Sequence, residues 1–429
     1  MTIRLALLAL LLSASAHAEA VKDREGAVRQ DKAKLQDSDR WNYNDVQRGF
    51  DEAKKSGKPV LVILRCVPCL ACMGLDTGVL MENAEISPLL DQFVCVRLIN
   101  ANAIDLARFQ FDYDLSFTTM FFNADGTVYG RYGSWKHQKN SQESATEGLK
   151  KAMVAALDLH KGYPANKAAL AGKQPREMPF KTPVEIPQLA EKYKANLDWE
   201  GKVVQSCVHC HMIGAALQTW HRQQRKPLPE NLIYPFPEPE TIGLTLASEA
   251  IAQVEAVAAG SIAEKAGLKV GDQITSFAGQ PLIAIADVSW ALHRAPNAAS
   301  LECIVSRDDG SKTLTLTLPE GWRRKSDVAR RVSVWPERGM ALGGLRLEPH
   351  DGEGIGLKVK GMGQYGMHAA AKKAGFKEGD VIISISKIAT RITEGELLGY
   401  LLEQHFPGDQ VPVTVLRGGE RQELSLPMQ

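Results

Sequence analysis

The sequence predicts a multidomain chain of class α/β plus mainly-β: an α/β domain, a short mostly helical module, then two mainly-β domains. Three observations carry this. The apolar run Pro59-Val60-Leu61-Val62-Ile63-Leu64 leads into Arg65-Cys66-Val67-Pro68-Cys69-Leu70-Ala71-Cys72-Met73, which holds three of the seven cysteines. Cys207-Val208-His209-Cys210-His211 forms a second cysteine cluster near mid-chain. Beyond it, the pattern Ala-Gly-hydrophobic-x-x-Gly-Asp-x-Ile occurs twice, from Ala266 and from Ala374.

A length of 429 residues, 44% of them hydrophobic and 24% charged, suits three or four globular domains. The net charge of +1 gives no electrostatic case for nucleic acid or an anionic membrane surface as partner. Residues 1–18 read as a signal peptide, with Arg4 before the apolar run Leu5 to Leu12 and Ala16-His17-Ala18 before Glu19. That run is about half of what a membrane span needs, so the expectation is export to the periplasm with no anchor after cleavage. There dithiols can be oxidised and haem can be attached covalently. An odd number of cysteines favours a working dithiol or thioether attachment over a disulfide framework.

Residues 19–40 are charged, with little periodicity, and are expected to be a flexible or loosely helical leader. The α/β domain is expected over 41–160. Asn44 and Asp45 can cap a helix whose Val46, Phe50 and Ala53 line one face, ended by Ser56-Gly57-Lys58-Pro59. The β-branched run that follows reads as a buried strand, and Ala71 to Met81 as a helix. The first cysteines thus fall at a strand-to-helix junction, where unpaired amides and the helix dipole stabilise a thiolate. A structural disulfide or a three-thiolate metal cluster is the bland alternative. A helix over 82–90, a strand over 93–99 carrying an inert core Cys95, a strand over 120–122, an Asp125-Gly126 hairpin turn into 127–132 and a helix over 141–160 complete the domain.

Residues 161–186, with Pro164, Pro175, Pro179 and Pro183, are expected to act as a linker. The module over 187–239 contains Cys-x-x-Cys-His, the haem c attachment pattern, in which Cys207 and Cys210 would bind the vinyl groups and His211 the iron. His221 is the nearest candidate for the distal ligand, with Met178, Tyr234 or an open position as alternatives. A zinc or copper knuckle using Cys207, Cys210, His209 and His211, or a disulfide, would also satisfy the spacing. The mainly-β repeats are expected over 240–320 and 341–429, joined by a solvated linker over 321–340 that carries Arg323, Arg324, Lys325, Arg330 and Arg331.

Lys58-Pro59-Val60-Leu61-Val62 followed by Cys-x-x-Cys resembles the thioredoxin superfamily. The resemblance, counted from Val62, implies Cys69 as attacking thiol and Cys72 as resolving thiol, with Cys66 as an extra partner; Cys66/Cys69 as the working pair stays open. The proline usual before the fourth strand is missing, because the sequence there reads Ser116-Phe117-Thr118. Both repeats resemble PDZ domains of the bacterial periplasmic type. This implies a peptide added at a strand edge, with its carboxylate held by loop amides. Those loops would be Ile242-Gly243-Leu244, with Val288 and Leu292 lining the groove, and Gly343-Gly344-Leu345.

Taken whole, the order is similar to a bacterial family of exported thioredoxin and PDZ proteins, some of which carry selenocysteine in the dithiol region. It implies a periplasmic thiol-disulfide oxidoreductase with a redox partner protein. Its PDZ domains would tether client peptides, and haem c would offer an electron route. The rival expectation is a non-enzymatic adaptor that holds haem or metal on its cysteines and partner peptides on its PDZ domains.

Overall fold

The structure, a computed structural model, describes residues 23–65, 84–115, 117–135 and 144–429. The expected signal peptide, Cys66, Cys69, Cys72, Ser116 and the helix expected over 71–81 lie outside the described residues.

Five strands form the first sheet: β1 (Trp41–Tyr43), β2 (Val60–Arg65), β3 (Val94–Leu98), β4 (Phe117–Phe122) and β5 (Val128–Tyr132). Their order is β1-β3-β2-β4-β5, with β1, β3 and β2 parallel and β4 and β5 antiparallel. Parallel strands need cover on both faces, and every residue of β2 is buried. The period of two sends Leu61 and Ile63 to one face and Val60, Val62 and Leu64 to the other. The first face packs on α3 (Ser144–Lys161) through Leu149, Ala152, Met153 and Ala156; the second packs on α2 (Val46–Ser56) through Phe50 and Ala53.

Asp45 caps α2, its Oδ1 accepting from Arg48 N at 2.9 Å. Asn44, expected to share that task, instead accepts from the amides of Ile99 and Asn100 at 2.9 and 3.0 Å and ties down the exit of β3.

The leader is helical, and it is anchored rather than loose. It forms α1 (Arg24–Leu35), which buries Val28 and Leu35. Its Asp31 pairs with Arg97, fully buried on β3, and accepts from the Tyr43 hydroxyl at 2.9 Å. So few buried side chains leave almost no periodic signal, and the anchoring is electrostatic.

The module around Cys207 is not a separate body. Its helix α4 (Cys210–Gln223) lays Ile213, Ala216 and Leu217 on the Val60/Val62/Leu64 face of the sheet. From its other side Gln218 donates to Glu337 Oε1 at 2.9 Å, and Arg222 to the carbonyls of His405 and Gln429 at 3.2 and 3.1 Å.

Both expected linkers are packed segments. In the first, a 3-10 turn over Lys167–Lys173 buries Leu170 and Lys173, and Gln174 exchanges hydrogen bonds with Val128 at 3.0 and 3.1 Å. In the second, Trp322 and Arg323 are buried and Arg331 is inserted between Asp112 and Asp114. Charged side chains that look solvated in sequence find carboxylates or carbonyls far along the chain.

The first mainly-β domain has a ribbon of β6 (Leu244–Leu246) and β7 (Val254–Val257). Its sheet, ordered β11-β10-β8-β9, contains β8 (Gln273–Phe277), β9 (Gln280–Pro281), β10 (Ala299–Arg307) and β11 (Gly310–Leu318), with α5 (Ile285–Arg294) alongside. In the second domain α6 (Val334–Leu342) leads into β12 (Leu345–Pro349), β13 (Leu357–Met362), β14 (Val381–Ile385), β15 (Gln410–Arg417) and β16 (Glu420–Pro427), ordered consecutively, with α7 (Glu394–Gln404) packed on them.

The repeated motif is a staple. Asp272 accepts from Arg307 at 2.6 and 2.7 Å and from Lys269 N at 2.9 Å, while Arg307 also donates to Gly267 O at 2.8 Å. Asp380 accepts from Arg417 at 2.6 and 2.7 Å and from Lys377 N at 2.9 Å, while Arg417 also donates to Gly375 O at 2.9 Å. Planar guanidinium against carboxylate favours this two-pronged geometry.

Candidate functional site

The C-terminal ends of β2 and β3 and the start of β4 make one edge of the first sheet. Arg65 closes β2, pairs with Phe117, and is bonded to Cys66. Strand β3 exits beside it, since Leu64 is opposite Leu98.

The second cysteine cluster comes to this same edge. Asn102, just past β3, donates to the carbonyls of Lys194 and Ser206 at 2.6 and 2.8 Å and accepts from Val208 N at 2.6 Å. The Cys207 thiol then lies 3.7 Å from Ile99 O. Burial pushes it up to about 11. Cys210 opens α4 within electrostatic reach of the Tyr113 hydroxyl, which burial raises further above the ordinary phenol range. His211, beside Asp114, is held below the usual imidazole range by burial, with the carboxylate acting in the opposite direction.

The two cysteines and the histidine of the haem c pattern face different surroundings. Cys207 packs into the cluster of Val28, Ile99, Leu197 and Val203, whereas Cys210 packs with the sheet-facing cluster. His211 lines a cavity of about 140 Å³, shared with Tyr113, Met178 and Leu217. His221 cannot be the opposite ligand, because ten residues of α-helix carry it about 15 Å along α4 from His211. Tyr234 is buried against Gly399 in the second mainly-β domain. Among the described residues no group of three His, Cys, Asp or Glu is placed to hold a metal ion. Cys95 and Cys303 are core thiols, each raised to about 12 by burial.

The first mainly-β domain sits against the same edge. A narrow cavity of about 30 Å³ is lined by Leu115, Thr118 and Gly133 of the first domain and by Leu246, Ile285 and Ser289 of the second. Ile285, Ala286 and Ser289 of α5 line this cavity. Val288 and Leu292 are fully buried with Ile242 and Leu244 in the core cluster that also takes in Ile285. Helical spacing reveals apolar rows without saying which one faces inward.

The expected carboxylate-holding amides are also engaged. Gly243 N donates to Glu240 O at 2.9 Å, and the amides of Gly343 and Gly344 both cap α6 at Arg338 O. Leu345 is a core residue.

The seating of this domain rests on residues that local patterns did not mark. Asp287 accepts from Arg131 N at 3.1 Å, Ile283 N at 3.0 Å and Lys173 Nζ at 2.5 Å. The Arg131 guanidinium lies 3.6 Å from the centre of the Trp290 ring, a cation–π contact.

Among the described residues no helix is long and apolar enough to cross a membrane. A thioredoxin-like family model matches residues 41–124, and PDZ domain models match residues 253–307 and 354–428. A protein of Haemophilus influenzae (strain ATCC 51907 / DSM 11121 / KW20 / Rd), described as "Probable periplasmic serine protease do/HhoA-like", is 29% identical over 128 residues. The match takes in 30% of this chain and 25% of that protein, so the chain spans about a quarter of that curated relative's length. The chain carries a thioredoxin-like domain followed by two PDZ domains.

Proposed function

We propose that the protein is an exported, periplasmic thiol-disulfide oxidoreductase whose first PDZ domain presents client peptides to the dithiol. The observation that carries this reading is the shared edge. The cysteine stretch follows directly from β2, the central strand of the thioredoxin-like sheet, and β6 and α5 of the first PDZ domain meet Thr118 and Gly133 on that edge around a narrow cavity.

Chemically, the Cys69 thiolate attacks one sulfur of a client disulfide and releases the other as a thiolate. Cys72 then attacks the mixed disulfide, so that the client leaves with two thiols and Cys69–Cys72 is oxidised. The reverse sequence oxidises a client, and the relative potentials set the direction. A redox partner protein closes the cycle. No step runs through haem.

The test is insulin-disulfide reduction by the purified mature chain with dithiothreitol as electron source. Wild type should accelerate it and Cys69→Ser should fall to the uncatalysed rate. Equal rates for the two would leave the adaptor reading, in which the PDZ domains bind partner peptides and the thiols do no exchange.

A further inference from the structure

The second PDZ domain has no part in the proposed reaction, and its peptide edge is already filled. Strand β12 is the outer strand of its sheet, bonded to β13 on one side. Leu347 stands opposite Val359, whose amide turns the other way, to Asp380 O at 2.8 Å. In an antiparallel ladder that places Leu347's own amide on the open edge, where an added peptide strand would bond to it. The amide donates instead to Glu394 Oε1, at the start of α7, at 3.2 Å. Two positions on, Pro349 has no amide to offer. Arg338 of α6 holds that carboxylate with two parallel bonds, Nε to Oε1 at 2.8 Å and Nη2 to Oε2 at 2.6 Å. Its carbonyl takes the amides of Gly343 and Gly344, the loop that would seat a terminal carboxylate. One arginine thus closes both ends of the site, its backbone at the loop and its side chain, through Glu394, at the strand edge.

We propose that the second PDZ domain is autoinhibited: the Arg338–Glu394 clasp occupies the β12 edge, and an extended chain reaches that edge only when the clasp is released. The two side chains are 17% and 11% exposed, so solvent screens them less than an ordinary surface pair. Their two-pronged geometry is also among the stronger hydrogen-bonded contacts. Release leaves the helix standing, because α7 is started by Thr393 and Glu396, whose side chains and amides bond reciprocally at 3.2 and 3.1 Å. Glu394 thus serves the strand edge rather than the helix. The Gly343 and Gly344 amides stay on the Arg338 carbonyl as the cap of α6, whatever its side chain does. The released edge therefore takes the middle of an extended chain, such as an unfolded protein, and not a carboxylate terminus. The inference involves none of the thiols and stands apart from the oxidoreductase reading.

The experiment photolabels the full mature chain with a pool of random decapeptides, amidated at the C-terminus and each carrying one benzoylphenylalanine, and maps the adducts by mass spectrometry. Wild type should show only background labelling on β12 and α7. Glu394→Ala should gain labelling there by about tenfold or more, the scale of losing a hydrogen bond to a charged group. Arg338→Met keeps the carboxylate and the loop cap and should gain less, since Glu394 still reaches Leu347. Both variants keep the Thr393 cap, and circular dichroism checks that they are folded. Labelling of wild type equal to that of the variants would overturn the inference, whether all are high or all stay at background. A pool with free C-termini should label Glu394→Ala no better than the amidated pool, and a stronger signal from it would overturn the closure at the loop. Amide hydrogen exchange without peptide supplies a second readout. The β12 fragment should exchange faster in Glu394→Ala than in wild type, and an unchanged rate would overturn the clasp.

Discussion

Lys173 and Asp287 form an ion pair with neither side chain accessible to solvent, Nζ to Oδ2 at 2.5 Å. It joins the strap that follows the thioredoxin-like domain to α5 of the first PDZ domain, 114 positions apart. Desolvation pushes the lysine below its ordinary range, and the carboxylate partly restores it.

Breaking a buried pair by removing one partner costs about 3–5 kcal/mol, because the remaining charge stays buried. Asp287→Ala should cost more than Lys173→Met, since Asp287 also accepts from the amides of Arg131 and Ile283. Urea unfolding of the two variants checks the order. Equal midpoints would show that the amide contacts add nothing beyond the ion pair.

Gly130 on β5 is the second requirement of that interface. A Cβ there would stand 2.4 Å from Ile283 Cγ1 and 2.8 Å from Asp287 Oδ2. Overpacking of this kind costs about 1–3 kcal/mol. Gly130→Ala should lower the unfolding midpoint and expose the seam between β5 and α5 to amide hydrogen exchange. Adding Ile283→Ala should recover part of the loss, a non-additivity expected only for groups in contact.

Glu337 on α6 gives a pH dependence with a defined sign. Burial raises its carboxyl to about 8, while the hydrogen bond from Gln218 acts the other way. A carboxyl raised in the folded state holds its proton there after the unfolded chain has lost it. Its contribution is therefore complete below the ordinary value of 4.5 and declines as pH rises from 4.5 towards 8. Glu337→Gln keeps an acceptor for Gln218 and cannot ionise. The difference in stability, variant minus wild type, should grow by roughly 3 kcal/mol between pH 5 and pH 8. Denaturant titrations at the two pH values measure it, and a flat difference would refute the buried-acid assignment.

The parts of the fold that were legible in sequence are those fixed by local chemistry. The period of two and the β-branched run of β2 mark a buried strand. The Asp125-Gly126 turn appears as expected, with Gly126 at φ 92° and its amide on Asn123 O at 3.0 Å. The repeated Gly-Asp motif marks both PDZ domains, although it does not announce that Asp272 and Asp380 serve arginines 35 and 37 positions away. What escaped notice depends on distant partners. Residues 161–186 and 321–340 look like linkers because their cohesion comes from Lys173 with Asp287 and from Arg331 with Asp112 and Asp114. The cysteine pair at Cys207 and Cys210 was visible as a motif, but its address on the β3 exit is set by Asn102, a residue with no distinguishing pattern around it.

The seating of the first PDZ domain on β5 changes how a bound peptide would be used. A domain on a loose linker raises local concentration and accepts clients of many lengths. Here Gly130, Asp287 and Lys173 remove that freedom, and β6 and α5, at Leu246 and Ser289, stand at a set distance from the end of β2. Under the proposed function the molecule would work as a gauge: for any client held by this domain, the number of residues between its held end and its cysteine would decide whether the sulfur arrives.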